Sequence, residues 1–228
     1  MKSSTIPFLG LNLSKQYVLE EMGYGTVTPD HAVTTILDEF FKLLEKEVVT
    51  EYVFDMYEGQ IGDGKIIFGN TCLGTGNTIT SLLKNSVKYV IFAATAGPHF
   101  DKRMQQVKAE DDMLRTYILD AIGTCIVEKT GDIMEMHIKK EINGLNHTNR
   151  FSPGYCGWPL TDQGNLFQLI GGKPCGITLS EVCLMHPIKS ISGIMGIGQN
   201  VNQKLYGCNF CELETCYKRK KLKTRATV

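Results

Sequence analysis

Ten consecutive residues, Arg150-Phe151-Ser152-Pro153-Gly154-Tyr155-Cys156-Gly157-Trp158-Pro159, most constrain what this chain can fold into. Pro153 and Gly154 both break a helix, and Pro159 stops any strand that follows. The segment is therefore a rigid, irregular loop presenting a permanent cation, aromatic rings, a hydroxyl and backbone amides. Two readings stand level on these residues alone. One is a grip for a small ligand with a carboxylate and a flat ring. The other is a buried turn whose arginine answers an internal carboxylate.

The chain has 228 residues, 43% apolar and 21% charged, which suits one large cored domain or a domain with a small appendage. Lys+Arg and Asp+Glu balance at 24 each, so net charge favours neither nucleic acid nor membrane. The N-terminus does not read as a signal peptide, and no apolar run approaches the roughly 20 residues of a membrane span. A cytoplasmic protein is expected. Eight cysteines are many for a reducing compartment. Five are scattered, whereas Cys208, Cys211 and Cys216 crowd together near the C-terminus.

Residues 29–51 read as an amphipathic helix, with Val33, Ile36, Leu37, Phe40, Phe41 and Leu44 at helical spacing. Tyr52 to Phe68 reads as a hairpin turning at Asp63-Gly64. A short helix is expected over 75–84, and Lys88 to Thr95 is a strand buried on both faces. One long helix is expected from about Ala109 to Glu141, bent or interrupted at Gly131. Pro159 to Ile170 reads as a short helix. Ile177–Met185 and Ser190–Ile197 are β-like runs, expected to be adjacent strands. Locally paired strands between helices favour α+β over a doubly wound sheet. Residues 1–205 form the expected domain, and 206–228 a cysteine-rich, then basic, tail.

Several chemistries lack their signatures. Gly69, Gly74 and Gly76 carry neither the lysine nor the spacing of a phosphate loop, and read as a turn feeding a helix. No nucleophile elbow or paired-histidine zinc motif occurs, and the five histidines never fall at ligand spacing. Trp158 reads as a packing residue, and Glu181 as a structural strand glutamate.

The loop is where the chain becomes recognisable. Arg150, Gly154-Tyr155 and Pro159 stand at a spacing that resembles the signature of the reactivation domain of cobalamin-dependent methionine synthase. The run from Gly176-Ile177-Thr178-Leu179-Ser180-Glu181 through Pro187 to Lys189-Ser190-Ile191-Ser192-Gly193 is similar to a second segment of that family. Leu119-Asp120-Ala121 through Glu128 resembles its helix with a ligand-binding glutamate. The likeness covers residues 75–197. The N-terminal third and the tail look like short stand-alone versions of the domain. Two positions depart: the family's glutamate six residues before the arginine is Gly144 here, and its later tyrosine beyond the second β-like run has no clear counterpart.

The resemblance implies a single curved α+β domain on a bent, mainly antiparallel sheet flanked by helices. It implies binding of S-adenosylmethionine by Glu128, Arg150, Ser152, Gly154 and Tyr155, and presentation of its methyl group to cobalamin held by a partner. That partner would be a methionine synthase lacking its own activation domain, with electrons from a flavodoxin or ferredoxin. The residue types agree: arginine grips a carboxylate bidentately, a glutamate answers an ammonium or ribose hydroxyls, and glycine permits close approach. Methyl transfer from a sulfonium to reduced cobalt is mainly a positioning problem, so no catalytic acid or base is expected.

Cys208, Cys211 and Cys216 suit an iron–sulfur cluster or tetrahedral zinc, with Cys156 or Cys183 as fourth ligand. Three unmetallated thiols are the plainer reading. Two rival functions follow: an iron–sulfur protein reducing a corrinoid partner without S-adenosylmethionine, and a non-catalytic partner that only docks.

Overall fold

The computed structural model describes residues 1–203. β1 (Lys2–Pro7) leads through a 3₁₀ turn into α1 (Lys15–Met22), which opens where the Ser14 hydroxyl accepts the Tyr17 N–H and closes on left-handed Gly23. α2 (His31–Glu47) buries Val33, Leu37, Phe40, Phe41 and Leu44. It ends before residue 51, because Val48-Val49-Thr50 are β-branched and the chain enters β2 (Val49–Tyr57). β3 (Gln60–Gly62) and β4 (Lys65–Phe68) form the expected hairpin, with Asp63 and Gly64 both at positive φ as a tight two-residue turn requires.

β5 (Thr71–Leu73) completes that small sheet and feeds α3 (Gly76–Leu82), after which β6 (Lys88–Thr95) crosses the molecule. Then come α4 (Gly97–Ala109), α5 (Met113–Glu141), β7 (Asn146–His147), α6 (Gln163–Leu169), β8 (Thr178–Leu179), β9 (Met185–His186) and β10 (Ser190–Gly198).

The main sheet runs β1-β2-β6-β10-β7, every neighbouring pair antiparallel. Curled, it divides the interior in two. The two-residue period of a strand sends Tyr52, Phe54, Val90, Phe92 and Ala94 to one face, where α1, α2, α4 and α5 pack. Val53, Tyr89, Ile91 and Ala93 go to the other, against the small sheet, α3, α6, Phe151 and Trp158. Burial on both faces is why β6 reads as almost continuously apolar, each large side chain contributing on the order of 2 kcal/mol. The α+β class and antiparallel sheet are as expected.

Three local expectations are corrected. The helix expected from Ala109 is two helices: Glu110 ends α4, Asp111 turns at positive φ, and the Asp112 carboxylate caps α5 by accepting the Arg115 N–H at 2.9 Å. Gly131 does not interrupt α5, whose hydrogen bonding runs on to Glu141. The run 177–185 is not a strand beside β10. β8 pairs only with β9, around a turn in which the Ser180 hydroxyl accepts the Leu184 N–H and Cys183 takes a left-handed φ. Glu181 sits exposed in that turn rather than in a strand. β10 pairs instead with β6 and β7.

Candidate functional site

The Arg150 loop is held at both ends. At its start, Phe151 and Ile194 of β10 exchange backbone hydrogen bonds of 2.9 and 2.8 Å. Gly193 allows that approach, since a Cβ there would lie 2.0 Å from the Phe151 carbonyl oxygen. Towards its end, Trp158 is 1% exposed, and its Nε1–H donates to Asp162 Oδ2 at 2.9 Å. The same oxygen accepts the Gly74 N–H at 2.5 Å, tying the loop to the small sheet. In between, the Gly154 N–H donates to the Trp158 carbonyl at 2.8 Å, and the Trp158 N–H to the Tyr155 carbonyl at 2.9 Å. The loop thus uses the Gly154 amide internally, and Trp158 is the packing residue its composition suggests.

Across from the loop lies α5. Glu128, Asp132 and Glu135 share one face of this helix, at the i, i+4, i+7 spacing that stacks side chains. Arg150 reaches all three. Its Nη2 donates to Glu128 Oε2 at 3.2 Å and to Asp132 Oδ1 at 3.0 Å, and Nε lies 3.7 Å from Glu135 Oε2. Gly131 makes the room, for a Cβ there would sit 1.8 Å from Arg150 Nη1. That Nη1 is buried with no hydrogen-bond partner among the described residues.

These groups line an open cleft of about 640 Å³, with Phe92, Ile191 and Ile79 as its apolar floor and Ser152, Tyr155, Asn149 and Gln203 around them. The volume lies within the range of small-molecule sites. Tyr155 stands 68% exposed, its ring free to cover a ligand. Glu135 is the most enclosed of the acids. Gln203 Nε2 donates to its Oε1 at 2.6 Å, while Lys139 Nζ and His147 Nε2 each lie 3.8 Å away. His147 Nδ1 faces the Thr148 carbonyl at 2.9 Å, and since a carbonyl only accepts, this nitrogen carries a proton and donates it. Burial pushes the Asp132 carboxyl above the usual carboxylate range, and the Glu135 charge adds to it, against the opposing pull of Arg150.

Four of the five residues expected to bind S-adenosylmethionine therefore meet in one cleft: Glu128, Arg150, Ser152 and Tyr155. Gly154 is outside the lining and shapes the loop, at φ +90°. Asp132 and Glu135 were not anticipated, although their spacing after Glu128 is plain in the sequence. Gly144, where the family carries a glutamate, turns the chain after α5 with open space beside it. Both sequence readings of Arg150 have a basis, since the arginine is paired and also faces a cleft.

Cys208, Cys211 and Cys216 lie outside the described residues. Among those described, no three metal-ligating side chains converge. Cys156 and Cys183 are half-buried and in no disulfide, and Cys183 Sγ faces the Thr161 carbonyl at 3.9 Å. No described helix is long and apolar enough to cross a membrane.

A family model described as "Vitamin B12 dependent methionine synthase, activation domain" matches residues 79–221, well over half of the chain. Among solved structures, a "Crystal Structure of the MetH Reactivation Domain bound to AdoHcy" is similar in fold, with a TM-score of 0.59. It is 14% identical, and the match covers 88% of this chain and 79% of that one. No curated protein matches the sequence.

Proposed function

This chain belongs to the family of vitamin B12-dependent methionine synthase activation domains, and on that premise we propose that its cleft binds S-adenosylmethionine and offers the methyl group to a corrinoid on a partner protein. The observation that carries this reading is the set of ion pairs between Arg150 and the acids of α5, inside an open cleft. An amino-acid end brings one ammonium and one carboxylate. It can exchange partners with a guanidinium–carboxylate pair without leaving a charge unanswered. The ligand carboxylate takes Arg150 in place of one of its own acids, and the ammonium takes Glu128. Tyr155 supplies an exposed ring for the adenine, and Ser152 a hydroxyl at the rim.

The residues of the cleft bind and orient, and the transfer asks no proton of them. A corrinoid on the partner, once reduced by one electron from a flavodoxin- or ferredoxin-type donor, would supply the nucleophile for the methyl group. The C–S bonding pair stays on sulfur, and S-adenosylhomocysteine leaves. Holding the sulfonium at an open rim, rather than in a closed cavity, suits a methyl group that must meet a second protein.

Calorimetric titration tests the reading. The protein should bind S-adenosylmethionine, and Arg150→Ala should weaken binding by about 30- to 1000-fold, or about 2–4 kcal/mol. Equal affinity in the two proteins would remove Arg150 from the site. A domain that only docks on its partner is the rival reading, and it rests on Gly144 standing where the family carries a glutamate. That reading prevails if the wild type shows no binding and Arg150→Ala leaves partner activation intact.

A further inference from the structure

The charges around the cleft do not balance. Among its described lining residues, three carboxylates face one guanidinium. Arg150 offsets one of them, and Gln203 answers Glu135 with a hydrogen bond but no charge. Lys139, 3.8 Å from Glu135, is half-exposed and lies outside the lining. Lys129 lies outside the lining, over the Tyr17 ring at 4.5 Å, and its charge pulls only in part against the burial of Asp132. His147 lies outside the lining, with Nε2 3.8 Å from Glu135 and Nδ1 on the Thr148 carbonyl. An apolar floor of Phe92, Ile191 and Ile79 below the acids weakens their screening by water.

We propose that Asp132 and Glu135 determine the ligand charge the cleft accepts, so that it holds the sulfonium of S-adenosylmethionine and releases the neutral thioether of S-adenosylhomocysteine. This specificity rests on the reading of the cleft above. The two ligands differ by one methyl group and one positive charge. That charge disappears in the step that makes product, so the acids favour the donor and loosen their hold once the methyl has gone. Glu128 and Arg150 serve the amino-acid end, which is the same in both ligands. The discrimination therefore falls to the carboxylates left over. At separations of about 7 Å and an effective dielectric of about 40, each uncompensated carboxylate is worth on the order of five- to tenfold in affinity for the cation.

Titration of the full chain with S-adenosylmethionine and S-adenosylhomocysteine in parallel provides the test. The wild type should prefer the cation by tenfold or more, and the preference should shrink as salt is raised. Asp132→Asn and Glu135→Gln keep side-chain shape while removing charge. Each should weaken binding of the cation several-fold and change that of the thioether by less than about twofold, and the double variant should bring the ratio near one. Retained binding of the thioether also shows that a variant is folded. Equal losses for both ligands would mean that the acids only hold Arg150 in place, and would overturn the proposal. A wild type binding both ligands equally would overturn it too, leaving the cleft assignment intact. A wild type binding neither would overturn the cleft assignment itself.

Discussion

Gly131 and Arg150 occupy what would otherwise be the same space: a Cβ on the glycine would lie 1.8 Å from the arginine Nη1. The glycine sits inside a 29-residue helix, where it weakens the helix by about 1 kcal/mol relative to alanine. Its location explains that cost, because the guanidinium lies across the helix surface at this one gap and so reaches acids on either side.

Gly131→Ala should therefore reverse the usual gain from filling a helix glycine. We expect a loss of about 1–3 kcal/mol, the range for overpacking, together with a tenfold or greater loss of S-adenosylmethionine affinity as Arg150 is displaced. Chemical unfolding and calorimetry read the two effects separately. Unchanged affinity with raised stability would show that Arg150 reaches its partners without the gap.

Asp132 should act on stability with a definite sign. Its carboxyl is pushed up by burial, so the folded state binds the proton more tightly than the unfolded chain. The favourable contribution is complete below the ordinary Asp range near 4 and disappears as pH rises through the higher folded value. Above that window Asp132→Asn should melt at or above the wild-type temperature, and at lower pH the difference should fade. A variant less stable than wild type at pH 7 and equal to it at pH 3 would reverse the sign.

Asp162 joins two segments through one oxygen. Removing it in Asp162→Ala leaves the Trp158 indole N–H and the Gly74 N–H without their acceptor, at about 2–4 kcal/mol. Trp158 is the only tryptophan in the chain, so its fluorescence reports on the loop directly. Emission should move to longer wavelength in the variant, with an earlier urea midpoint. Asp162→Asn, which retains an acceptor, should lose less.

The cysteines should differ in reactivity. Burial pushes the Cys175 thiol up to about 12, and Cys125 is buried, whereas Cys72 is exposed on the short strand β5. Among the described cysteines, alkylation at pH 8 followed by peptide mapping should find Cys72 modified first and Cys175 and Cys125 last. Early modification of Cys175 in the folded protein would contradict its placement.

What could be read from the sequence follows from how much each residue reveals by itself. β6 is legible because both its faces are buried, and α2 because one face is apolar throughout. β1 passed unnoticed: of its six residues only Ile6 is buried, so a sheet edge left no alternation to see. α1 was missed despite Ser14 and Gly23 marking its ends, since only Val18 and Leu19 of its residues are buried. Arg150, Glu128, Ser152 and Tyr155 are singled out by the resemblance, and the fold brings the four to one cleft. Asp132 and Glu135 are not singled out, because a charged helix face looks the same whether it meets water or a cleft. Their meaning depends on Arg150 arriving from another part of the chain. Ser190–Ile197 read correctly as a strand but was given the wrong neighbour, as pairing partners lie far apart in sequence.

The bridge between Phe151 and Ile194 has a consequence for timing. The loop that carries the guanidinium and the strand that ends the second motif share backbone hydrogen bonds, so they open together or not at all. The bridge anchors the start of the loop before any ligand arrives, so the entropy of ordering that segment was lost when the chain folded. Amide exchange at Phe151 and Ile194 should accordingly report one common opening rate. Ligand turnover is then governed by the parting and re-forming of ion pairs, which is fast, rather than by the slower rearrangement of a lid.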